Sequence, residues 1–355
     1  MKSRILALGI TATVVFAACG GAATPSAAPT TAPTVAASAA ATPPPAAKLS
    51  IMVGGMSKQI YLPNKLTEAL GYFKDENLTV DLIDEPSGKD TTVEVVAGNV
   101  DLGSGSYDHT IDIAAQGKSI QMVTLLLQAP GEAVLVSTKK ADTIKSPKDW
   151  KGVNAGVTSL GSGTHTIMRA LTIKAGLQVA DVTYVAAGAG DTFIAAMKQG
   201  KIDIGITTQP TVLRMLSSGD AKMHVDLFTP TGAQASLGGN YPFISLFAKT
   251  DYINANKGVV QRVVNAYVKT LKWIQTHTPT EIAEKLPADY YGGDKAAYIQ
   301  ALTDSMKMFS PDGKMQSGAP EFVLSVLKQF NDAVQKAPSI DLSKTYTNDF
   351  VANAK

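Results

Sequence analysis

Short loops rich in glycine, serine and threonine follow several predicted β-strands, and they hold the residue types best suited to chemistry in this chain. They are residues 54–57, 104–109, 159–165 and 207–209, with a fifth such loop at 187–191. In an open α/β sheet such loops lead into helix N-termini, whose free backbone N–H groups hold anions and hydrogen-bond acceptors. Glycine lets the backbone approach a ligand, and serine and threonine add hydroxyl groups. These loops predict a cleft that binds a small polar molecule.

The candidate ligand-binding residues come from four of these loops and from one later tyrosine. They are Gly55, Met56, Ser57, Ser106, Tyr107, His109, Ser162, Gly163, Thr164, His165, Thr208, Gln209 and Tyr241. Each loop also fits an ordinary turn or helix cap. His109 and His165 fit partly exposed helix positions as well as a cleft. Tyr107 and Tyr241 fit either a stacking wall or packing in a core or hinge.

The charges near these loops bear on the ligand class. Asp108 and Asp191 lie at helix starts and are interpreted as helix caps. If either carboxylate faced the cleft, it would oppose a bare anion and favour a ligand with a hydrogen-bond donor. Basic residues are few, with Lys58 just beyond the first loop. We therefore expect a small organic solute and not phosphate, with a sulfonate-like or nitrogen-heterocyclic compound ahead of nitrate.

The sequence lacks the usual motifs of catalysis and metal binding. The histidines His109, His165, His224 and His277 form no i, i+4 pair and no HExxH motif. No complete dinucleotide fingerprint, GxxxxGK loop or GxSxG motif occurs. One cysteine excludes an internal disulfide and a multi-cysteine zinc site. We expect no catalytic residue, no metal and no cofactor, and a protein that is not an enzyme.

Composition and charge narrow the class of partner. The 355 residues suffice for two or more domains, and 45% hydrophobic with 17% charged residues is typical of a soluble globular body. Lysine and arginine number 32 against 30 aspartate and glutamate. This balance gives no bulk basic field of the kind that holds nucleic acid, so no nucleic-acid partner is expected.

The N-terminal 47 residues differ from the rest of the chain. Residues 1–18 have a basic start and an apolar run, which is typical of an export signal and shorter than the roughly 20 residues of a membrane span. Phe16-Ala17-Ala18-Cys19 resembles the lipobox of bacterial lipoproteins. Residues 20–47 are rich in alanine, proline and threonine and uncharged, a composition typical of an extended spacer. We predict a signal peptide at 1–18, then a lipidated Cys19 and linker over 19–47 that tether the body to the cell membrane.

The body from residue 48 alternates predicted strands with predicted helices. The strands are predicted at residues 49–53, 78–83, 101–103, 120–127, 133–137, 153–157, 182–185 and 202–206. The helices between them are predicted at residues 62–70, 91–97, 110–116, 164–175, 192–198 and 210–217. A strand at 243–248 is then followed by helices at 257–276, 280–286, 295–308 and 320–336. The alternation is typical of parallel β/α units.

One pattern occurs twice in the body. Residues 98–103 and 200–205 both read Gly-x-hydrophobic-Asp-hydrophobic-Gly, and each copy follows a predicted helix. A repeat spaced by about a hundred residues indicates paired domains and not a solenoid. The duplication predicts two lobes of similar design.

Several segments together resemble a known family. Residues 68–80, which contain Gly71-Tyr72-Phe73, are similar to a segment of ABC-transporter solute-binding proteins of the nitrate, sulfonate and taurine group, which also contains thiamine-precursor binders. Residues 97–103, 150–153 and 174–177 continue the pattern in order, as do residues 116–118 and 197–203. The resemblance covers residues 48 to about 286.

This resemblance implies a fold and its division into lobes. The family fold is α/β, a two-lobe periplasmic-binding-protein-like fold of type II with a hinge and an interlobe cleft. The first crossing is expected near residues 137–140 and the return near residues 240–243. Lobe one is then 48–138 plus 242–355, and lobe two is 139–241.

The resemblance also implies a function. The chain is expected to be an extracytoplasmic lipoprotein, a monomer, that captures a sulfonate- or taurine-like, nitrate-like or thiamine-precursor-like solute and delivers it to an ABC permease with its ATPase. Two alternatives stay open. One is an enzyme on the same fold, such as a thiamine-precursor synthase or a decarboxylase. The other is an extracellular sensory or adhesive module.

Overall fold

The computed structural model describes residues 44–291 and 293–355. The predicted signal peptide, Cys19 and the linker up to residue 43 lie outside the described residues. The strands are β1 (Ala47–Val53), β2 (Leu78–Asp84), β3 (Leu102–Ser106), β4 (Ile120–Leu125), β5 (Glu132–Ser137), β6 (Asn154–Val157), β7 (Thr183–Ala186), β8 (Ile204–Thr208), β9 (Ala221–Asp226) and β10 (Ile244–Lys249).

Helices alternate with these strands and then dominate the last third of the chain. They are α1 (Leu62–Ala69), α2 (Tyr72–Asp75), α3 (Gly88–Ala97), α4 (Asp108–Ala115), α5 (Gly163–Lys174), α6 (Asp191–Lys198), α7 (Thr211–Ser217), α8 (Pro230–Leu237), α9 (Thr250–Ala255), α10 (Lys257–Thr276), α11 (Pro279–Glu284), α12 (Lys295–Ser305), α13 (Ala319–Leu327), α14 (Asp332–Lys336) and α15 (Asp349–Ala352). In the described part of the chain, no helix combines the length and apolar character that a membrane crossing requires.

The strands form two sheets of the same design, and each sheet is the centre of one lobe. The first sheet has the order β2-β1-β3-β10-β4 and the second the order β7-β6-β8-β5-β9. In each, the first three strands are parallel and the fourth is antiparallel to both of its neighbours. The α/β class and the two-lobe architecture predicted from the sequence are confirmed.

The duplicated motif has the same structural role in both lobes. The Asp101 carboxylate accepts a hydrogen bond from the backbone N–H of Ser50 at 2.8 Å, and Asp203 accepts one from Asn154 at 2.9 Å. Each aspartate thus ties its strand to the neighbouring parallel strand. The last glycine of the second copy, Gly205, leaves room for a phenylalanine ring, since a Cβ there would lie 2.7 Å from the ring.

The first crossing between the lobes lies earlier than the sequence predicted. β5 pairs with β8 and β9 in the second sheet, and all six of its residues are buried. A strand with partners on both edges and both faces covered lies inside its sheet. The chain therefore crosses between Leu125 and Glu132 and not near residues 137–140, and the predicted boundary at 138 puts β5 in the wrong lobe. The return crossing near residues 240–243 and the outer bounds of the lobes stay predictions.

Further elements differ from the sequence prediction: the helices α2, α8, α9 and α15 were not predicted, and two other differences have identifiable causes. β9 was not predicted, because Lys222 and His224 interrupt its apolar residues. The single helix predicted at 320–336 is two helices, α13 and α14, and the side-chain oxygen of Asn331 caps the second by accepting from the N–H groups of Ala333 and Val334. A capping side chain competes with a continuous helix at its own position.

Arg262 on α10 holds the start of the described chain against the first lobe. Arg262 is 9% exposed. Its guanidinium donates to the carbonyl oxygens of Pro45 at 3.0 Å, Glu76 at 2.9 Å and Asn77 at 3.3 Å. Guanidinium forks suit several acceptors at once. The side chain therefore joins three chain segments that are far apart in sequence.

Replacement of Arg262 by methionine is expected to lower the free energy of unfolding by about 2–4 kcal/mol, because hydrogen bonds to a charged donor each contribute about 1.5–3 kcal/mol. Urea denaturation measures this change. Lys269→Met on the same helix is the control, since it removes only exposed contacts, an ion pair with Asp75 and a cation–π contact with Tyr72, and should cost about 1 kcal/mol. Equal losses in the two variants would contradict the proposed role of Arg262.

Candidate functional site

A cavity lies between the two lobes where the loops after their strands meet. The first lobe contributes Gly54, Lys58, Ile60, Tyr61, Gly88, Ser106, His109, Phe243 and Ile244, and the second contributes Glu132, Thr158, Ser162, Gly163, Thr164, Ala189, Thr207 and Thr208. The cavity leaves about 30 Å³ open to water, which is room for about two water molecules. The walls of the two lobes therefore stand close together.

Lys58 supplies a positive charge to the cavity. Its ammonium group donates to the carbonyl oxygens of Gly54 at 2.8 Å and Pro86 at 2.9 Å. Burial lowers the pKa of Lys58 to about 8, although the carboxyl groups of Glu132 and Asp84 act in the opposite direction. The group changes charge more readily than an exposed lysine does.

Glu132 supplies a carboxyl group at the start of β5. The residue is 2% exposed, and its Oε2 has no hydrogen-bond partner. Burial raises the pKa of this carboxyl to about 8; Lys58 opposes the rise and Asp108 adds to it. Near neutral pH the group is therefore largely a neutral acid, which both donates and accepts hydrogen bonds.

A buried polar cluster stands at the start of α4. Asp108 accepts hydrogen bonds from the hydroxyls of Ser106 and of Tyr241, the latter at 3.0 Å. Burial, with Asp108 nearby, raises the pKa of Tyr241 well above its ordinary value. His109 is 6% exposed, its Nδ1 lies 3.6 Å from Asp108 Oδ1, and its Nε2 has no hydrogen-bond partner. The imidazole thus keeps one nitrogen free at the cavity.

The second lobe contributes hydroxyls and a helix N-terminus. The Ser162 hydroxyl caps α5 by accepting from the N–H of His165 at 3.4 Å. The Thr208 hydroxyl donates to the carbonyl oxygen of Gly131 at 2.7 Å. The Thr207 hydroxyl is buried and has no partner. The wall is therefore polar and accepts or donates hydrogen bonds at several points.

The structure brings together six of the thirteen predicted site residues. Those lining the cavity are Ser106, His109, Ser162, Gly163, Thr164 and Thr208. Those outside its lining are Gly55, Met56, Ser57, Tyr107, His165, Gln209 and Tyr241. Whether any of the thirteen binds a ligand stays a prediction.

The residues outside the lining have other contacts. The Tyr107 side chain is fully buried and its hydroxyl lies 2.6 Å from that of Thr345, which is the packing alternative. The carbonyl oxygen of Gln209 accepts from the backbone N–H of Gln59 at 3.1 Å, a contact between the lobes. Asp191 pairs with Arg214 on the surface.

Eleven lining residues were not among the predicted site residues, and they include Lys58, Tyr61, Gly88, Glu132, Thr207 and Phe243. Glu132 could have been found, because it is a lone carboxyl opening an otherwise apolar buried strand. A buried charge needs a partner or a neutral state and so marks a candidate site. Across residues 44–291 and 293–355, no three His, Cys, Asp or Glu side chains are placed to hold a metal ion.

His165 supports the loop before α5 from behind. Its Nδ1 accepts a hydrogen bond from the N–H of Gly161 at 2.9 Å, and its ring meets that of Tyr184 edge-on at 4.8 Å. Burial lowers the pKa of His165 to about 4, and the positive charges of Arg169 and Lys89 lower it further. The folded protein thus requires the neutral imidazole.

Acidification from pH 6.5 to pH 4 is expected to lower the stability of the protein through His165. The unfolded chain takes up a proton near pH 6.5, whereas the folded site resists it until about pH 4, so stability falls as pH drops through this window. Thermal melts across it should be flatter for His165→Asn, whose amide oxygen replaces the Nδ1 acceptor without titrating. A pH slope of the His165→Asn melts equal to that of the wild type would contradict this role of His165.

A family model and several curated proteins match this chain. The family model described as NMT1/THI5 like matches residues 63–282, which is more than half of the chain. A 4-amino-5-hydroxymethyl-2-methylpyrimidine phosphate synthase of Schizosaccharomyces pombe is 28% identical over 159 residues, covering 45% of this chain and 44% of that protein. The chain thus spans less than half the length of the curated relatives that it matches first.

Solved structures share the fold over most of the chain. A protein of Bordetella bronchiseptica RB50 is 35% identical, with a TM-score of 0.81, and the match covers 86% of this chain and 96% of that one. The alkanesulfonate-binding protein SsuA of Xanthomonas axonopodis pv. citri, bound to MOPS, is 17% identical with a TM-score of 0.68, covering 84% and 98%. At that identity the second likeness shows the fold alone.

The comparison with the curated proteins corrects one expectation. From its missing catalytic motifs the chain was expected not to be an enzyme, and this inference is wrong because seven of the matching curated proteins are named as synthases. The motifs that were sought belong to hydrolases, nucleotide-binding proteins and metalloproteases. Their absence therefore does not exclude enzymes on this fold.

Proposed function

Because the chain belongs to the NMT1/THI5-like family, we propose that it captures a small organic solute in the cavity between its lobes. The two lobes share the fold of solute-binding proteins. Closure of two lobes around a ligand is a known hinge motion in proteins of this architecture. The narrow cavity supports a closed conformation, from which the lobes part to admit a solute.

The observation that carries the proposal is the grouping of unpartnered polar atoms. In the described part of the chain, five buried side-chain polar atoms lack a partner, and three of them, Glu132 Oε2, His109 Nε2 and Thr207 Oγ1, belong to residues that line this cavity. A buried polar atom without a partner costs about 1–3 kcal/mol. A solute that supplies the missing hydrogen bonds removes this cost, so the cavity favours a polar occupant.

The chemistry of the cavity supports a solute with both acceptor and donor groups. The Lys58 ammonium and the N-terminus of α5 favour acceptors or a negative group. The carboxyl of Glu132 and the free nitrogen of His109 also suit donors. Sulfonate- or taurine-like, nitrate-like and thiamine-precursor-like compounds are the candidate classes, and a compound with one kind of group leaves part of the cavity unsatisfied.

The proposal includes the place and the partners of the protein. A lipid on Cys19 and the linker up to residue 47 would tether a monomer outside the cell membrane. An ABC permease with its ATPase would accept the solute from the closed form. The leader and the lipobox-like segment support this location, as does the likeness to a solute-binding fold.

Titration calorimetry with alkanesulfonates, taurine, nitrate and 4-amino-5-hydroxymethyl-2-methylpyrimidine tests the proposal. One class is expected to bind, and Thr207→Val should weaken that binding about fivefold, the worth of one hydrogen bond of about 1 kcal/mol. The variant should unfold at a higher urea midpoint than the wild type, because it removes a buried hydroxyl that has no partner in the protein. Thr303→Val, at an exposed position of α12, is the control. Failure of every compound to bind would contradict solute capture.

A second candidate function is synthesis of a pyrimidine phosphate. It is supported by the similarity to the Schizosaccharomyces pombe synthase over 45% of this chain. Mass spectrometry of the purified protein, incubated with 4-amino-5-hydroxymethyl-2-methylpyrimidine and ATP as the phosphoryl donor, would detect transfer of the terminal phosphoryl group to the hydroxymethyl oxygen, with release of ADP and of the hydroxyl proton. Such a product would favour this candidate over capture and release, and unchanged recovery of a bound compound would favour capture.

A further inference from the structure

Of three consecutive residues at the start of α3, one lines the cavity and the other two contact the opposite lobe. Gly88 lines the cavity. On one side of it, Ser87 accepts a hydrogen bond from the hydroxyl of Ser159 at 3.2 Å. On the other side, the ammonium group of Lys89 donates to the carbonyl oxygen of Leu160 at 3.0 Å. Both hydrogen bonds run from the first lobe to the second.

The loop that receives these contacts is also joined to the cavity. Thr158 and Ser162, which flank residues 159–161, line the cavity wall. The stem of Lys89 lies along the loop, since a Cβ at Gly161 would be 3.1 Å from its Cδ. Movement of the loop away from α3 would therefore move the cavity wall with it.

We propose that Ser87 and Lys89 form a latch that holds the two lobes closed. The latch also sets how long a captured solute stays bound, and this effect on residence time rests on the proposed function. Neither residue lines the cavity. The cavity walls come from both lobes, so a solute leaves only when the lobes part. Weakening the latch raises the open fraction and with it the rate of release, without removing a contact to the solute.

Closure is tested first in the ligand-free protein. Small-angle X-ray scattering is expected to give a larger radius of gyration for Lys89→Met than for the wild type, and Lys89→Arg should restore the wild-type value because it keeps a donor. Lys139→Met is the matched control, since Lys139 also donates to a carbonyl oxygen, that of Lys198 at 2.9 Å, but within the second lobe. The same radius for Lys89→Met and Lys139→Met would overturn the latch.

A covalent bridge across the same contact gives an independent test. In the double variant Ser87→Cys with Ser159→Cys, oxidation by diamide is expected to join the two thiols, with the two hydrogens passing to diamide. Peptide mapping distinguishes this bridge from one to Cys19. Failure to form the bridge in the ligand-free protein, with both thiols still reactive after denaturation, would overturn the latch.

Release is then measured with a compound that binds in the calorimetric panel. Stopped-flow dissociation from Lys89→Met should be about twofold to tenfold faster than from Lys139→Met, the worth of a hydrogen bond of about 0.5–1.5 kcal/mol. Equal rates would overturn the effect on residence time. The scattering and bridging experiments need no solute, so failure of the panel would count against solute capture while leaving the closure result standing.

Discussion

Gly163→Val is expected to weaken solute binding about fivefold to 150-fold while the protein stays folded, because an overpacked contact costs about 1–3 kcal/mol. A Cβ at Gly163 would lie 2.8 Å from two carbons of the Phe243 ring and 2.8 Å from the Ser106 hydroxyl. Both neighbours belong to the first lobe, whereas Gly163 begins α5 in the second. The added side chain therefore opposes closure of the lobes more than it opposes folding of either one.

Calorimetric dissociation constants and urea midpoints separate the two effects in this variant. Gly258→Val is the matched control, since Gly258 also lies in the first turn of a helix and a Cβ there meets nothing within 4 Å. The control should bind as the wild type does. Wild-type affinity of Gly163→Val, with an unchanged scattering profile, would mean that the two walls do not approach as closely in solution.

Glu132→Gln is expected to stabilise the protein increasingly as pH rises from 5 to 8. Burial raises the pKa of this carboxyl from 4.5 to about 8, so between these values the folded state holds a proton that the unfolded state has lost. The stabilising contribution of the buried carboxyl is fully present below the pKa of the unfolded state and is lost as pH rises toward the pKa of the folded state. Glutamine does not ionise, so the variant avoids a loss on the order of a few kcal/mol.

Thermal melts of the variant and the wild type at several pH values measure this difference. Glu281→Gln is a control of opposite sign, because hydrogen bonds from the backbone and side chain of Thr278 lower the pKa of Glu281. That variant should be less stable than the wild type near neutral pH and approach it on acidification. Parallel melting curves for Glu132→Gln and the wild type would show that the buried carboxyl does not control this pH range.

The periodic parts of the fold were predictable from the sequence. The helix predicted at 257–276 matches Lys257–Thr276, because its apolar positions recur at helical spacing. The duplicated motif predicted two lobes, and Asp101 and Asp203 tie neighbouring strands in the same way in both. Such features depend on local sequence, which a single chain displays directly.

The composition of the cavity was only partly predictable. Loops rich in glycine and hydroxyls indicated where the cleft lies, and Ser106, His109 and Gly163 line it. Glu132 reaches the cavity because β5 belongs to the second sheet, and this follows from strand pairing over about seventy residues. The pKa of Lys58 is lowered because packing buries its ammonium group. The position of Glu132 and the pKa of Lys58 both depend on long-range contacts, which neither residue spacing nor composition reveals.

Arg262 has a mechanical consequence for a protein that is pulled by its N-terminus. The guanidinium grips Pro45, and the Asn77 side chain donates to the carbonyl oxygen of Pro44 at 2.8 Å, so force applied at the front of the folded body passes into α10 and the neighbouring turn. No residue of the second lobe takes part in these hydrogen bonds. With the lipid anchor proposed above, a pull on the tether would enter the first lobe at α10 and not at the contacts between the two lobes.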